Sequence, residues 1–106
     1  DKVEELESEI FDAKLEAKII ASRIPDIEQD LKNELVNFVQ NLRELDLKKL
    51  PSVAETIDWA KSLVLLNVKS LDASIVRETL NVLLKFQSDI DAADSEIEGI
   101  LRKGNT

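Results

Sequence analysis

The spacing of apolar residues along this chain predicts helices rather than strands. Near the start, apolar side chains recur at alternating intervals of three and four residues, which places them along one side of an α-helix. This stripe consists of Val3, Leu6, Ile10, Ala13, Ala17, Ile20 and Ile24. The 106 residues include only two glycines and two prolines, and 4% are aromatic, so turns are few and strand-forming side chains are scarce. We therefore predict an all-α fold in a single domain spanning residues 1–106.

Residues that start and stop helices divide the chain into five predicted helices. Pro25 ends the first helix, because its ring removes a backbone donor and disfavours the helical conformation at the preceding residue. Two later pairs have the spacing of a capping box, in which a short polar side chain and a Glu or Gln three residues on satisfy the first backbone amides. These pairs are Asp26 with Gln29 and Ser52 with Glu55. The remaining signals are the predicted caps Asp72 and Asp89 and the predicted stop Asn67.

The same periodicity identifies the side chains that we expect in the core. From the second, third and fourth helices these are Ile27, Leu31, Leu35, Phe38, Ile57, Trp59, Leu63, Val76, Leu80 and Leu83. We expect Phe86 to be available for burial as well. The fifth helix repeats the three-and-four spacing in Ile90, Ala93, Ile97 and Ile100. We expect this stripe and that of the first helix to be buried against the bundle, against each other or in a dimer.

The sequence lacks several residue types that common catalytic, metal and phosphate-binding sites require. The chain contains no histidine and no cysteine, which excludes Ser-His-Asp and Cys-His catalysis, disulfides and the common zinc sites. Gly99 and Gly104 are its two glycines, so a glycine-rich phosphate loop cannot form within it. The acidic residues from Asp89 to Glu98 lack the central glycine and the ligand spacing of an EF-hand. We therefore expect neither a metal site nor catalysis by this chain alone.

The charge of the chain narrows the class of partner. Its formal net charge is -8, which disfavours nucleic acid as a partner because phosphate contacts use clustered Lys and Arg. Acidic and basic residues balance in residues 14–88, so the acidic excess lies in residues 1–13 and 89–106. We interpret these ends as solvated helix faces or as an acidic docking surface. The longest apolar run, Leu63–Leu66, is too short to span a bilayer, and we expect a cytoplasmic protein with no membrane contact.

Four stretches of the sequence together resemble a known family. They are RIP at residues 23–25, FVQNLRE at residues 38–44, KLPSVAETIDWA at residues 49–60 and LLKFQSD at residues 83–89. In this order they are similar to the C-terminal helical lid of the MoxR-like branch of AAA+ ATPases. The resemblance covers about residues 14–90, and residues 1–13 and 91–106 lie outside it.

This resemblance implies a four-helix lid-type bundle, here with an extended first helix and an additional C-terminal helix. In such ATPases an upstream α/β domain holds ATP and Mg²⁺, while the lid covers the nucleotide and relays hydrolysis to protein remodelling. The implied partners are that core domain, neighbouring subunits of a ring and von Willebrand factor A-domain proteins. Because the chain begins Asp1-Lys2 without a methionine, we interpret it as a piece of a longer protein. Since the resemblance implies that the upstream domain binds ATP, we do not expect this chain to be an enzyme by itself.

The resemblance also indicates which residue would face the nucleotide. A lid normally supplies a basic side chain near the start of its third helix, the sensor 2 position, where an Arg can reach the γ-phosphate charge. The matching residue here is Ala54, and Lys49 and Lys61 are the candidates to replace the missing charge. The alternative function is a freestanding acidic helical module that docks a basic partner without nucleotide chemistry.

Overall fold

Five α-helices make up the part of the chain that the structure describes, which is residues 13–104 of a computed structural model. They are α1 (Ala13–Arg23), α2 (Gln29–Leu42), α3 (Val53–Leu65), α4 (Ala73–Leu83) and α5 (Gln87–Gly104). Residues 13–104 contain no strand, which confirms the predicted all-α class. The first residues of the predicted N-terminal stripe, Val3, Leu6 and Ile10, lie outside the described residues.

The helices pack around one apolar core. α1 lies against α2 and α3, α4 lies against α3 and α5, and α2 also contacts both α3 and α5. Every helix contributes at least one almost completely buried side chain: Ile20, Leu35, Leu63, Leu80 and Ile97. The packing of the helices therefore sets which connecting loops come close to one another.

Most of the predicted core is confirmed. The buried members are Leu31, Leu35, Phe38, Trp59, Leu63, Val76, Leu80 and Leu83. The prediction is wrong for Ile27 and Ile57, which are only half-buried at the edge of the core. Ile27 precedes the first residue of α2, and Ile57 lies roughly 200° around the α3 axis from Trp59, so neither reaches the centre.

Phe86 is also misassigned by the sequence prediction, because its side chain is 46% exposed. α4 ends at Leu83, and the following residue, Leu84, has extended backbone (φ -118°, ψ 138°). The chain therefore leaves the helical path before it reaches Phe86. Leu84 is buried in the core instead.

The predicted ends of α3 and the predicted cap of α4 are confirmed. Ser52 Oγ accepts from the backbone N–H of Glu55 (3.3 Å), and Glu55 Oε1 accepts from the backbone N–H of Ser52 (2.9 Å), which completes the capping box. Asp72 Oδ1 accepts from the backbone N–H of Ile75 (2.9 Å). Asn67 has a φ of 61°, the left-handed conformation that commonly follows the last turn of a helix.

Two other predicted caps are wrong. Asp26 does not cap α2, because the backbone N–H of Ile27 binds the Ile24 carbonyl (3.1 Å) in a turn and the helix begins only after it. Asp89 does not cap α5, because that helix already begins at Gln87. The Asp89 carboxylate binds a neighbouring loop instead.

The expected burial of the terminal stripes is confirmed for α5, which packs on α2 and α4. Its buried stripe residues are Ala93, Ile97 and Ile100, and Ile90 is half-buried. In α1, Ile20 and Ile24 are buried whereas Ala13 is exposed. The apolar contacts of α1 with the core are therefore concentrated in its C-terminal half.

Trp59 links α3 to both α2 and α4. Its ring packs against Phe38 with a centroid distance of 5.5 Å and an interplanar angle of 44°. The side chain is completely buried, and its indole Nε1–H donates to Thr79 Oγ1 at 2.7 Å. The Thr79 hydroxyl donates in turn to the Ile75 carbonyl at 2.8 Å. Thr79 therefore supplies the acceptor that the buried indole requires.

Replacing Thr79 with Val should destabilise the bundle although the side-chain shape is kept. The substitution leaves the buried indole N–H without an acceptor, which costs about 1–3 kcal/mol of unfolding free energy. Urea denaturation followed by far-UV circular dichroism measures this loss. Thr79→Ser is the matched control, because it keeps the hydroxyl and removes one methyl group. If Thr79→Val were at least as stable as Thr79→Ser, the hydrogen bond would not contribute measurably to stability.

Candidate functional site

A buried ion pair joins α1 to the residue that follows α2. Glu16 is completely buried, and Arg43 is 9% exposed. Their side chains meet through two short contacts, from Nη1 to Oε1 at 2.6 Å and from Nη2 to Oε2 at 2.7 Å. Such bidentate pairs are strong and geometrically specific. The pair therefore fixes how α1 and α2 lie against each other.

The same guanidinium binds the chain at the start of α3. Arg43 Nε donates to the Pro51 carbonyl (2.9 Å), and Nη2 also donates to Thr56 Oγ1 (3.3 Å). On the other side of the pair, Gln40 Nε2 donates to Glu16 Oε1 (2.9 Å). We call Glu16, Gln40, Arg43 and Thr56 the Arg43 cluster. Because its buried charges have hydrogen-bond partners, the cluster can connect three helices without leaving an unpaired ion.

Glu55, in the first turn of α3, lies between two lysines. Its Oε1 belongs to the capping box, where it also accepts from the Ser52 hydroxyl at 3.0 Å. Its Oε2 lies 3.5 Å from Nζ of Lys49 and 3.5 Å from Nζ of Lys85. Oε2 is buried and has no hydrogen-bond partner among the described residues. Two ammonium groups therefore share one buried carboxylate oxygen.

The surroundings of Glu55 shift its pKa in opposite directions. Burial, the largest influence, raises the pKa because it penalises the charged form. The hydrogen bonds from Ser52 and the charges of Lys49 and Lys85 lower it. Their combined effect is larger, and the pKa of Glu55 lies below its ordinary value of 4.5. Glu55 is therefore an anion at neutral pH.

Asp89 fastens the loop between α2 and α3 to the first turn of α5. Its side chain is buried, with 3% exposure. Oδ1 accepts from the backbone N–H of Lys48 (2.8 Å), and Oδ2 accepts from that of Lys49 (3.1 Å). A carboxylate in the first turn of a helix also interacts favourably with the helix dipole. Asp89 thus places Lys48 and Lys49 beside the start of α5.

The three predicted site residues lie at different places on and near α3. Ala54 is exposed in the first turn of that helix. Lys61 is also exposed, but it lies about two turns further on, roughly 10 Å along the helix axis. Lys49 lies before the helix and pairs with Glu55. The structure therefore brings Lys49, but not Lys61, to the start of α3.

Sequence reasoning missed Glu16, Lys85 and the contact made by Asp89. Glu16 had a detectable signal, because it lies three residues after Ala13 and four before Ile20, on the apolar side of α1. A charge at such a position is costly unless it has a partner. Lys85 and Asp89 had no such signal. Asp89 binds the backbone 41 residues before it, at Lys48, and no spacing rule extends that far.

The site is built from hydrogen bonds and ion pairs. In residues 13–104, no three His, Cys, Asp or Glu side chains come together in a way that could hold a metal ion. None of the helices in that part of the chain is long and apolar enough to cross a membrane. What the described side chains can do chemically is bind charged groups and hold the start of α3 in place.

Comparisons of the chain with models of protein families, with curated proteins and with solved structures each gave no match. The resemblance to a lid therefore depends on the four sequence stretches alone.

Replacing Arg43 with Met should strongly destabilise the fold. The single substitution leaves the Glu16 carboxylate buried without its guanidinium, so the free energy of unfolding should fall by about 3–5 kcal/mol. The double variant Glu16→Met/Arg43→Met removes both charges and should be more stable than Arg43→Met alone. Urea denaturation of these two variants, of Glu16→Met alone and of the unsubstituted protein gives the coupling energy. Additive effects of the two substitutions would contradict the predicted coupling.

Lowering the pH should remove the stabilisation that Glu55 provides. Because its pKa is lower in the folded chain than in the unfolded chain, its contribution is complete above the unfolded value, near 4.5, and is lost as pH falls through the folded value. The difference in unfolding free energy between the unsubstituted protein and Glu55→Gln should therefore shrink below about pH 4.5. Urea titrations at each pH measure this difference. A difference that stayed constant from about pH 7 to about pH 3 would rule the prediction out.

Proposed function

We propose that this chain is the helical lid of a MoxR-like AAA+ ATPase and covers the nucleotide site of an upstream ATPase core. The assignment of the bundle as a four-helix lid, with an extended first helix and an additional C-terminal helix, is part of this proposal. ATP and Mg²⁺ would be held by the core, and this chain would not be an enzyme by itself. Its partners would be the core, neighbouring subunits of a ring and von Willebrand factor A-domain proteins in the cytoplasm.

One observation carries the proposal: three of the stretches that resemble the family, although separate in sequence, meet at the start of α3. Arg43, from the second stretch, binds Thr56 in the third. Lys85, from the fourth stretch, pairs with Glu55 in the third. Asp89, also from the fourth, binds the backbone of Lys49 at the beginning of the third. This convergence supports the view that the resemblance reflects a shared structural unit and not scattered identities.

A firmly held start of α3 suits the action of a lid. The first turn of a helix presents backbone N–H groups and the positive end of the helix dipole, which favour a nearby anion. Ala54 is exposed at this turn, so a nucleotide on the core domain could approach it. Because the Arg43 cluster ties α3 to α1 and α2, a displacement of this turn would move three helices together. Other groups of the ATPase would have to neutralise the γ-phosphate, since Ala54 carries no charge.

The alternative, a freestanding acidic helical module that docks a basic partner, is favoured by one feature at the other end of α3. Leu65 and Leu66 are 85% and 57% exposed there. Neighbouring exposed apolar side chains commonly mark protein contacts. The gene sequence upstream distinguishes the two functions. A glycine-rich phosphate loop ahead of Lys14 supports the lid, and an unrelated domain supports the module.

The isolated chain should neither bind nor hydrolyse magnesium-ATP. Its sequence cannot form a glycine-rich phosphate loop, and its net charge of -8 repels an anionic nucleotide. Isothermal titration calorimetry and a phosphate-release assay test the two parts of this prediction. Micromolar binding of ATP by the chain alone would contradict the lid function as stated.

Replacing Ala54 with Arg in the intact ATPase should change nucleotide affinity or turnover. A guanidinium that reaches the γ-phosphate adds a charged hydrogen bond, and we expect an effect of about tenfold. The fold should not change, because Arg is a good helix former. Ala54→Gln is the control of similar length without the charge. Steady-state ATPase kinetics measure the effect, and identical kinetics for the three proteins would show that Ala54 is not at the sensor 2 position.

A further inference from the structure

Three lysines and two exposed apolar side chains form one edge of the bundle. Lys48, Lys49 and Leu50 come from the loop between α2 and α3, and Lys85 and Phe86 come from the linker between α4 and α5. We call these five residues the basic edge. The ammonium of Lys48 lies 5.7 Å from the centroid of the Phe86 ring, and the ammonium groups of Lys49 and Lys85 approach the same atom of Glu55. The two backbone segments therefore present one continuous surface.

The basic edge brings three ammonium groups together with two buried carboxylates, those of Glu55 and Asp89. Lys49 and Lys85 share Glu55 Oε2 at 3.5 Å, and their side chains remain 52% and 56% exposed. Asp89, the other buried carboxylate at this edge, takes hydrogen bonds from the backbone N–H groups of Lys48 and Lys49. The ammonium groups can therefore reorient toward a partner. On a chain whose net charge is -8, these three lysines form a local cluster of positive charges.

Apolar surface lies directly beside these charges. Phe86 is 46% exposed and Leu50 is 37% exposed. Aromatic side chains are enriched among the residues that contribute most to protein interfaces. A partner that used the whole edge would therefore need both negative charge and an apolar side chain.

A free phosphate or a nucleic acid suits this edge less well. Phosphate sites usually direct backbone N–H groups at the ligand. Here the N–H groups of Lys48 and Lys49 are bound to Asp89, and that of Glu55 is bound to Ser52. A long polyanion would also be repelled by the acidic remainder of the chain. A short acidic segment contacts only the edge and avoids this repulsion.

We propose that the basic edge is a docking site for an acidic peptide segment of a partner protein that also carries an apolar residue. The carboxylates of the segment pair with the ammonium groups of Lys48, Lys49 and Lys85. Its apolar side chain packs on Phe86 and Leu50. The binding test uses this chain by itself, so its outcome does not depend on the proposed lid function.

The test is a titration of the full chain against a peptide that alternates glutamate and leucine and carries an uncharged fluorophore, with binding followed by fluorescence anisotropy. Lys48→Gln should weaken binding about two- to fivefold, the range expected for one exposed ion pair. Phe86→Ser should weaken it about fivefold or more, as for an aromatic interface residue. Both substitutions leave the Lys49 and Lys85 contacts with Glu55 in place, and circular dichroism verifies the fold. Raising the salt from about 50 mM to about 300 mM should also weaken binding.

Matched controls distinguish binding at the basic edge from nonspecific binding of the peptide. Lys18→Gln removes an exposed lysine on α1, and Leu65→Ser removes an exposed apolar residue at the far end of α3. Both should bind the peptide like the unsubstituted chain. Peptides of glutamine with leucine, or of glutamate with serine, should each bind more weakly. The proposal is overturned if Lys48→Gln and Phe86→Ser bind as tightly as the controls. It is also overturned if inorganic phosphate displaces the peptide at equal concentration, because the edge would then be a phosphate site.

Discussion

The bidentate contact between Arg43 and Glu16 determines how three of the helices are arranged. Taking two ions out of water costs several kcal/mol for each ion, and their attraction with added hydrogen bonds roughly offsets that cost. Apolar side chains of equal volume would give similar stability, but apolar contacts are not directional and would not fix the orientation of the helices. The guanidinium does have direction, since it binds Glu16, Pro51 and Thr56 at once. The pair therefore contributes orientation, and the start of α3 is the element that it orients.

Features of the fold could be predicted where the interacting residues are close in sequence, and not where they are far apart. The capping box of Ser52 and Glu55 and the stop at Asn67 involve residues close in sequence, so local rules found both ends of α3. Periodicity identified the apolar face of each helix, but not which other helices cover that face. Ile57 was misassigned for this reason, because the side of α3 on which it lies is only partly covered. Asp89 was misread as a cap because its true partner is a distant loop.

The candidate site was less predictable than the fold. The resemblance drew attention to the start of α3 through Ala54 and Lys49, and Lys49 does lie beside that turn. The second lysine at the site, Lys85, follows α4 and reaches Glu55 only because α4 packs against α3. Lys61 was the other candidate to replace the missing charge, but it lies about two turns along α3 from Ala54. Residues that meet through packing cannot be identified from spacing in a single sequence.

The basic edge and the start of α3 share one carboxylate, that of Glu55. Its carboxylate caps α3 with Oε1 and is neutralised at Oε2 by Lys49 and Lys85, which also belong to the basic edge. An acidic segment docked on that edge would draw both ammonium groups outward and leave the buried charge less well compensated. Docking would then weaken the capping of the first turn of α3 by Glu55. By thermodynamic linkage, a ligand that stabilised this turn would oppose docking to the same extent. The coupling requires no long pathway through the bundle, because one buried carboxylate takes part in both contacts.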